Sequence, residues 1–206
     1  MLQDLSTAGF GEWTHVVPGD GQLFFYNENT RGAATARLDG GGNYTMLQDL
    51  SGDKFGQWTH IVPNGSLIFF YSADTREAAT GRLDGSGNYT MLQDLSAAGF
   101  GEWTHIVFEA DPSALFFYSA RTRAAATGRL DGSGNYTMLQ DLSGAGFGEW
   151  THIVPDNRLL FFYNARTRAA ATGRLDDNGN YTMLQDLSGA GFGEWTHIGA
   201  TQPGTP

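Results

Sequence analysis

The residues able to do chemistry recur at fixed places. Histidines His15, His60, His105, His152 and His197 each stand two residues after a tryptophan, at Trp13, Trp58, Trp103, Trp150 and Trp195. Arginines follow threonine in Thr30-Arg31, Thr75-Arg76, Thr122-Arg123 and Thr167-Arg168, and aspartates Asp94, Asp141 and Asp186 lie in Gln-Asp-Leu-Ser. Imidazole suits metal binding or proton transfer. Strand alternation, however, puts each histidine on its tryptophan's side and apart from its copies, whereas zinc needs three or four ligands converging on one point. Structural hydrogen bonding fits the histidines better, and no metal is expected. The turns Asp84-Gly85-Ser86-Gly87-Asn88 and Asp131-Gly132-Ser133-Gly134-Asn135 space oxygens like a calcium loop. Their twelfth positions are Leu95 and Leu142, where the bidentate glutamate belongs, so tight-turn chemistry explains them.

Catalysis normally needs unlike residues converging once, and here every candidate is copied four or five times. No nucleophile elbow, phosphate loop or paired-carboxylate motif appears, so the expectation is no enzyme, no catalytic residue and no cofactor. A sugar site asks for less: an aromatic plate for the apolar face of the ring and a few fixed polar groups for its hydroxyls. Trp58, Trp103, Trp150 and Trp195 are the candidate plates, with Arg76, Arg123, Arg168, Asp94, Asp141 and Asp186 as hydrogen-bonding partners. The structural alternative packs each tryptophan between neighbouring repeats and pairs arginine with aspartate across each repeat.

Composition narrows the partners. The 206 residues include no cysteine, 29 glycines and 13% aromatic residues, and carry a net charge of −10 with one lysine, Lys54. Thiolate metal sites and dithiol chemistry are excluded. So acidic a chain lacks the basic surface that phosphate-backbone binding requires, so no nucleic acid is expected. Apolar runs such as Leu159 to Tyr163 fall far short of the ~20 residues of a membrane helix, so no membrane insertion is expected. Met1-Leu2-Gln3-Asp4-Leu5 has neither the basic nor the apolar region of a secretory signal, which leaves the compartment unassigned.

The elements that must position these residues follow from a repeat. The tryptophans are spaced by 45, 45, 47 and 45 residues, and Tyr44, Tyr89, Tyr136 and Tyr181 keep the last three intervals. Counted from Met1, the repeats are 1–45, 46–90, 91–137 and 138–182, with a partial repeat 183–198 and a linker-like tail 199–206. The two additional residues of the third repeat fall between Val107 and Phe116 and mark a surface loop. In the fourth repeat the predicted strands are A (Leu159 to Asn164), B (Ala170 to Asp176), C (Asn180 to Leu187) and D (Trp195 to Ile198). Asp-x-x-Gly-Asn supplies the B–C turn, and Pro18, Pro63, Pro112 and Pro155 fall in the D–A connection. Four strands per 45-residue repeat, with no helical periodicity, predict an all-β fold: a β-propeller of four-stranded antiparallel blades, in one repeat domain spanning 1–198. The A–B and C–D loops share one face, where the repeats barely change, and this face is the expected site.

The repeat L-F-F-Y-N-A-R-T-R-A-A-A-T-G-R-L-D-x-x-G-N-Y, followed by G-F-G-E-W-T-H-I-V-P, resembles the blades of tachylectin-like propellers. The resemblance implies a secreted, lectin-like scaffold with sugar sites once per blade or between adjacent blades, and hence glycan partners of unassigned class. It departs from a five-unit array because the fifth unit is half present. Strands C and D occur five times and A and B four times, and simple head-to-tail association would place a D strand beside a C strand. Three arrangements remain open: a five-bladed ring with a partial blade, a ring closed by exchanged terminal hairpins that would allow a homo-oligomer, or a piece of a longer array. The leading functional reading is a multivalent carbohydrate-binding propeller. The alternative is a structural or protein-interaction propeller, natural or designed, with no ligand.

Overall fold

The structure, a computed structural model, describes residues 11–19, 21–110 and 113–199. Every regular element among them is a strand, and the sixteen strands form four antiparallel sheets of four. Blade 1 contains β1 (His15–Gly19), β2 (Gln22–Tyr26), β3 (Ala33–Leu38) and β4 (Tyr44–Asp49). Blade 2 contains β5 (His60–Asn64), β6 (Leu67–Tyr71), β7 (Ala78–Leu83) and β8 (Tyr89–Asp94). Blade 3 contains β9 (His105–Glu109), β10 (Ala114–Tyr118), β11 (Ala125–Leu130) and β12 (Tyr136–Asp141). Blade 4 contains β13 (His152–Asp156), β14 (Leu159–Tyr163), β15 (Ala170–Leu175) and β16 (Tyr181–Asp186). The chain divides into two compact units, one holding blades 1 and 2 with the turn Ser133–Asn135, the other holding the rest of blade 3 and blade 4.

Strand order within each sheet is sequential, D-A-B-C. A blade therefore begins at D, so a repeat counted from methionine starts inside strand C. D also starts later than its tryptophan. The Trp58 amide donates to the Tyr26 hydroxyl at 3.0 Å and is thereby withdrawn from the ladder, and β5 begins at His60. The last predicted D, Trp195 to Ile198, is not a strand, and no A strand pairs with it among the described residues. Pro18, Pro63 and Pro155 lie inside β1, β5 and β13, not in loops. Each of these strands pairs in its own sheet on one side only, and such an edge tolerates a residue without an N–H. Pro112, the predicted first C segment at 1–5 and the tail from 200 onward lie outside the described residues.

Strand A explains the core. Its Phe-Phe-Tyr alternates between the two faces of the blade, and both faces are covered. Phe24 meets Phe70 of the next blade edge-on at 5.6 Å, and Phe116 meets Phe162 in the same way. The tyrosine closing the strand acts as a hook. Tyr26 donates to the Gly56 carbonyl at 2.7 Å, Tyr71 to Gly101 at 2.7 Å and Tyr118 to Gly148 at 2.6 Å, tying each blade to the link that leaves it.

Strand C supplies the second tie. A β-bulge shifts the B–C register so that Thr35 opposes Gln48 while Ala36 opposes Met46, leaving Leu47 as the additional residue, and the same shift recurs in every blade. A bulge re-aims the side chain it frees. Leu47, Leu92 and Leu139 press against Gly87, Gly134 and Gly179 of the following blade's B–C turn, so closely that a Cβ there would stand 2.3 to 2.5 Å from the leucine Cδ1. These glycines also have positive φ, so both space and backbone require them. Gln48 and Gln140 complete the tie by accepting the Tyr89 and Tyr181 amides at 2.8 Å.

Candidate functional site

A cleft of about 420 Å³ opens between blades 3 and 4. It lies where the A–B loops and the C–D link meet. Its walls bring together three residues singled out by sequence, Arg123, Trp150 and Asp186, with Glu149, Asn164 and Thr167 beside them.

The A–B loop is a tight turn built by its first residue. The Asn164 side-chain oxygen accepts the Arg166 and Thr167 amides at 2.9 and 3.0 Å, its carbonyl accepts the Arg168 amide at 2.8 Å, and its Nδ2 reaches the Glu149 carbonyl at 2.7 Å. The turn closes only if the arginine is left-handed. Arg31, Arg76, Arg123 and Arg168 all have φ of 60 to 62°. That conformation costs a non-glycine residue about 1 kcal/mol or more. Glycine would avoid this cost, yet all four loops carry arginine.

The guanidiniums point toward the next link. Arg123 pairs with Glu149 at 2.8 Å, Arg166 reaches the same carboxylate at 3.1 Å, and Arg168 pairs with Glu194. The arginine–aspartate pairing of the structural alternative is therefore replaced, for Arg123 and Arg168, by pairing to the glutamate before the tryptophan. Each aspartate is instead turned onto its own chain. Asp94, Asp141 and Asp186 accept the amides of Ser96, Ser143 and Ser188 at 2.8 to 2.9 Å. These hydrogen bonds hold all three carboxyls below the usual range, the backbone amide foremost for Asp94 and Asp141 and the serine side chain for Asp186. Glu149 is lowered chiefly by the Arg123 hydrogen bond. The glutamate went unnoticed in the sequence, although Phe-Gly-x-Trp carries it as Glu12, Glu102, Glu149 and Glu194, with Gln57 as the exception.

The tryptophans fall into two groups. Trp58, Trp103 and Trp150 are only 8 to 9% exposed and pack on Phe70, Phe117 and Phe162 with centroids 5.7 Å apart. Burial leaves them no open ring face, so in these three the packing role replaces that of a sugar plate. Trp195 is 42% exposed and lies against Tyr163 and Phe192. Inside the cleft the apolar wall comes from Phe147, Tyr181 and Met183, with Met183 exposed and burial pushing the Tyr181 hydroxyl up to about 12. The equivalent residues of blades 1 and 2 include Arg31, Trp58 and Asp94, with neutral Gln57 in place of Glu149.

Histidine and the B–C turn are committed elsewhere. His15, His105 and His152 place Nε2 at 3.0 to 3.3 Å from the carbonyls of Thr59, Thr151 and Thr196 on the following link, and burial lowers the His105 pKa. Asp84 accepts from the Ser86 and Asn88 amides and from the Asn88 side chain at 2.8 to 2.9 Å, which spends its oxygens on the turn. Among the described residues no three His, Asp or Glu side chains gather as a metal site.

No protein-family profile matches the chain, and no curated protein does. Solved structures do. A Lactobacillus plantarum protein matches with TM-score 0.63 at 17% identity, over 84% of this chain and 54% of its own. A putative 6-phosphogluconolactonase from Bacteroides uniformis matches with TM-score 0.60 at 11% identity, over 90% and 57%. A nidogen/laminin complex contributes a chain at TM-score 0.52 and 18% identity, over 90% and 65%. The fold is a β-propeller of repeated blades. At these identities the likeness carries the fold alone, and the chain spans 54 to 65% of the length of the three structures.

Proposed function

We propose that the chain is a multivalent carbohydrate-binding propeller whose sugar sites are repeated clefts of the kind seen between blades 3 and 4, on the face formed by A–B loops and C–D links. The observation that carries this reading is the convergence of a strained, repeated arginine with two carboxylates and an apolar wall in one open cleft of about 420 Å³. That volume suits one or two sugar rings, being near the low end for small-ligand sites. Arg123 donates, Glu149 and Asp186 accept, and Met183 and Tyr181 cover the ring's apolar face.

Binding without turnover is the favoured form. Acid–base hydrolysis of a glycoside needs one carboxyl held protonated near neutrality, and Glu149 and Asp186 are both pushed the other way. The lactonase name of one structural neighbour comes with 11% identity and gives this chain a fold, not a reaction. Weak equivalent sites gain strength together, since a second contact on a glycan surface becomes intramolecular and raises apparent affinity by ~10² to 10⁴.

The test is a glycan array probed with labelled protein. Selective binding to one sugar class, competed by the free monosaccharide and lost in an Arg31→Gly, Arg76→Gly, Arg123→Gly, Arg168→Gly variant that stays folded, is the expected result. A blank array with folded protein overturns the reading and leaves the ligand-free scaffold, which the buried tryptophans and the arginine–glutamate pairs also suit.

A further inference from the structure

The joint between blades has two dissimilar halves, and each half also occurs uncovered. On the forward side of a blade the joint uses the Phe of strand A and the bulged leucine of strand C. On the rear side of the next blade it uses the leucine ending strand B and the Gly-Asn-Tyr turn. The forward half is exposed on blade 4. Its bulged Leu184 is 47% exposed, Leu159 and Trp195 are exposed beside it, and a groove of about 330 Å³ lined by Leu159, Phe161 and Ile198 runs along this face. The rear half is exposed on blade 1. There Leu38 is 49% and Val16 54% exposed, whereas Leu83, Leu130 and Leu175, at the position of Leu38, are at most 5%.

We propose that the forward face of blade 4 docks the rear face of blade 1 of a second copy of this chain. The occupant is named by the repeat itself, since the same leucine is seated three times on an Asp-x-x-Gly-Asn turn, and the blade 1 turn Asp39–Asn43 keeps that pattern and the aspartate–asparagine hydrogen bonds of Asp84–Asn88 and Asp176–Asn180. The hook for a further blade is already set, with the Tyr163 hydroxyl donating to Gly193 and accepting the Trp195 amide at 3.2 Å. The D-A-B-C frame removes the clash expected for head-to-tail association, because β1 to β4 and β13 to β16 are both whole blades. Residues 183–195 repeat the sequence of residues 1–13 except for Gly189 in place of Thr7, so blade 4 already carries the link that a following blade uses. The contact is heterologous, so it builds a closed ring or a chain of copies. It does not depend on the sugar reading.

The experiment is light scattering and sedimentation of the 206-residue chain across concentration, against a monomer mass of 22.3 kDa. The expected result is a mass that rises to multiples of the monomer. Leu184→Asp and Leu38→Asp, each at an exposed position, should leave the melting temperature unchanged and move half-association to at least about tenfold higher concentration. Mixed together, the two variants hold one intact forward face and one intact rear face between them, so they should form a dimer that neither forms alone. A chain that is monomeric throughout, variants that associate like the parent, or a mixture that stays monomeric would each overturn the proposal.

Discussion

Replacing Tyr118 by Phe isolates the hook that shapes the cleft. The Tyr118 side chain is fully buried, and its hydroxyl makes two hydrogen bonds, donating to the Gly148 carbonyl at 2.6 Å and accepting the Trp150 amide at 3.0 Å. Phenylalanine keeps the ring and strands both partners. Trp150 is 8% exposed, so its amide finds no ready water. Leaving a buried donor or acceptor unpaired costs about 1–3 kcal/mol, and with Gly148 half-buried the pair should cost about 2–4 kcal/mol. Tyr163→Phe is the internal control. It removes the equivalent hydroxyl, but Gly193 and Trp195 are exposed and water can replace it, so about 1 kcal/mol or less should be lost. Urea unfolding followed by tryptophan fluorescence measures both. Equal losses in the two variants would refute the assignment of the cost to buried, unpaired link groups.

Three further outcomes follow from the geometry. A Cβ at Gly128 would lie 2.4 Å from the Tyr136 ring, so Gly128→Ala should cost about 1–3 kcal/mol in the same urea assay, while blade 1 already carries Ala36 at this position opposite the less buried Tyr44. Arg123→Gly should leave stability unchanged or raise it by up to about 1 kcal/mol, because relief of the left-handed backbone offsets an exposed ion pair, and a drop above 1 kcal/mol would show a structural arginine. Burial raises the pKa of Tyr89, Tyr136 and Tyr181, so the folded state keeps protons that the unfolded chain releases. Their contribution is whole below pH about 10 and drains as pH rises toward about 12, the value for Tyr181, which urea midpoints between pH 8 and 11.5 would register.

What could be read from sequence was whatever repeats through residue type. The Asp-x-x-Gly-Asn turn names its own hydrogen bonds, and Phe-Phe-Tyr announces a strand covered on both faces. Where strand D begins was hidden, because tryptophan favours strands while its amide is taken by a tyrosine hydroxyl from another blade. The bulge was hidden too, since Tyr-Thr-Met-Leu-Gln-Asp reads as plain alternation until Leu47 is seen to be left over. The glutamate partner of arginine sits about 26 residues downstream in the next link, a distance that only the fold makes short.

Sequential strand order also bears on how the chain reaches this state. Among the described residues every sheet pairing joins strands adjacent in sequence, so each blade forms from consecutive hairpins with little loop entropy to overcome, and early folding should be rapid. The hazard comes from sameness. A strand D from one repeat fits strand A of any other, because the segments are nearly identical, and wrongly shared blades would pair as well locally as right ones. The third D–A loop, longer by two residues, the varied sequences of the D–A and A–B loops, Ala36, and the Lys54 and Gln57 substitutions are among the places where the chain distinguishes one repeat from another. Correct assembly then has to be selected late, when bulged leucines find their glycines, and slow refolding phases should lie in blade docking.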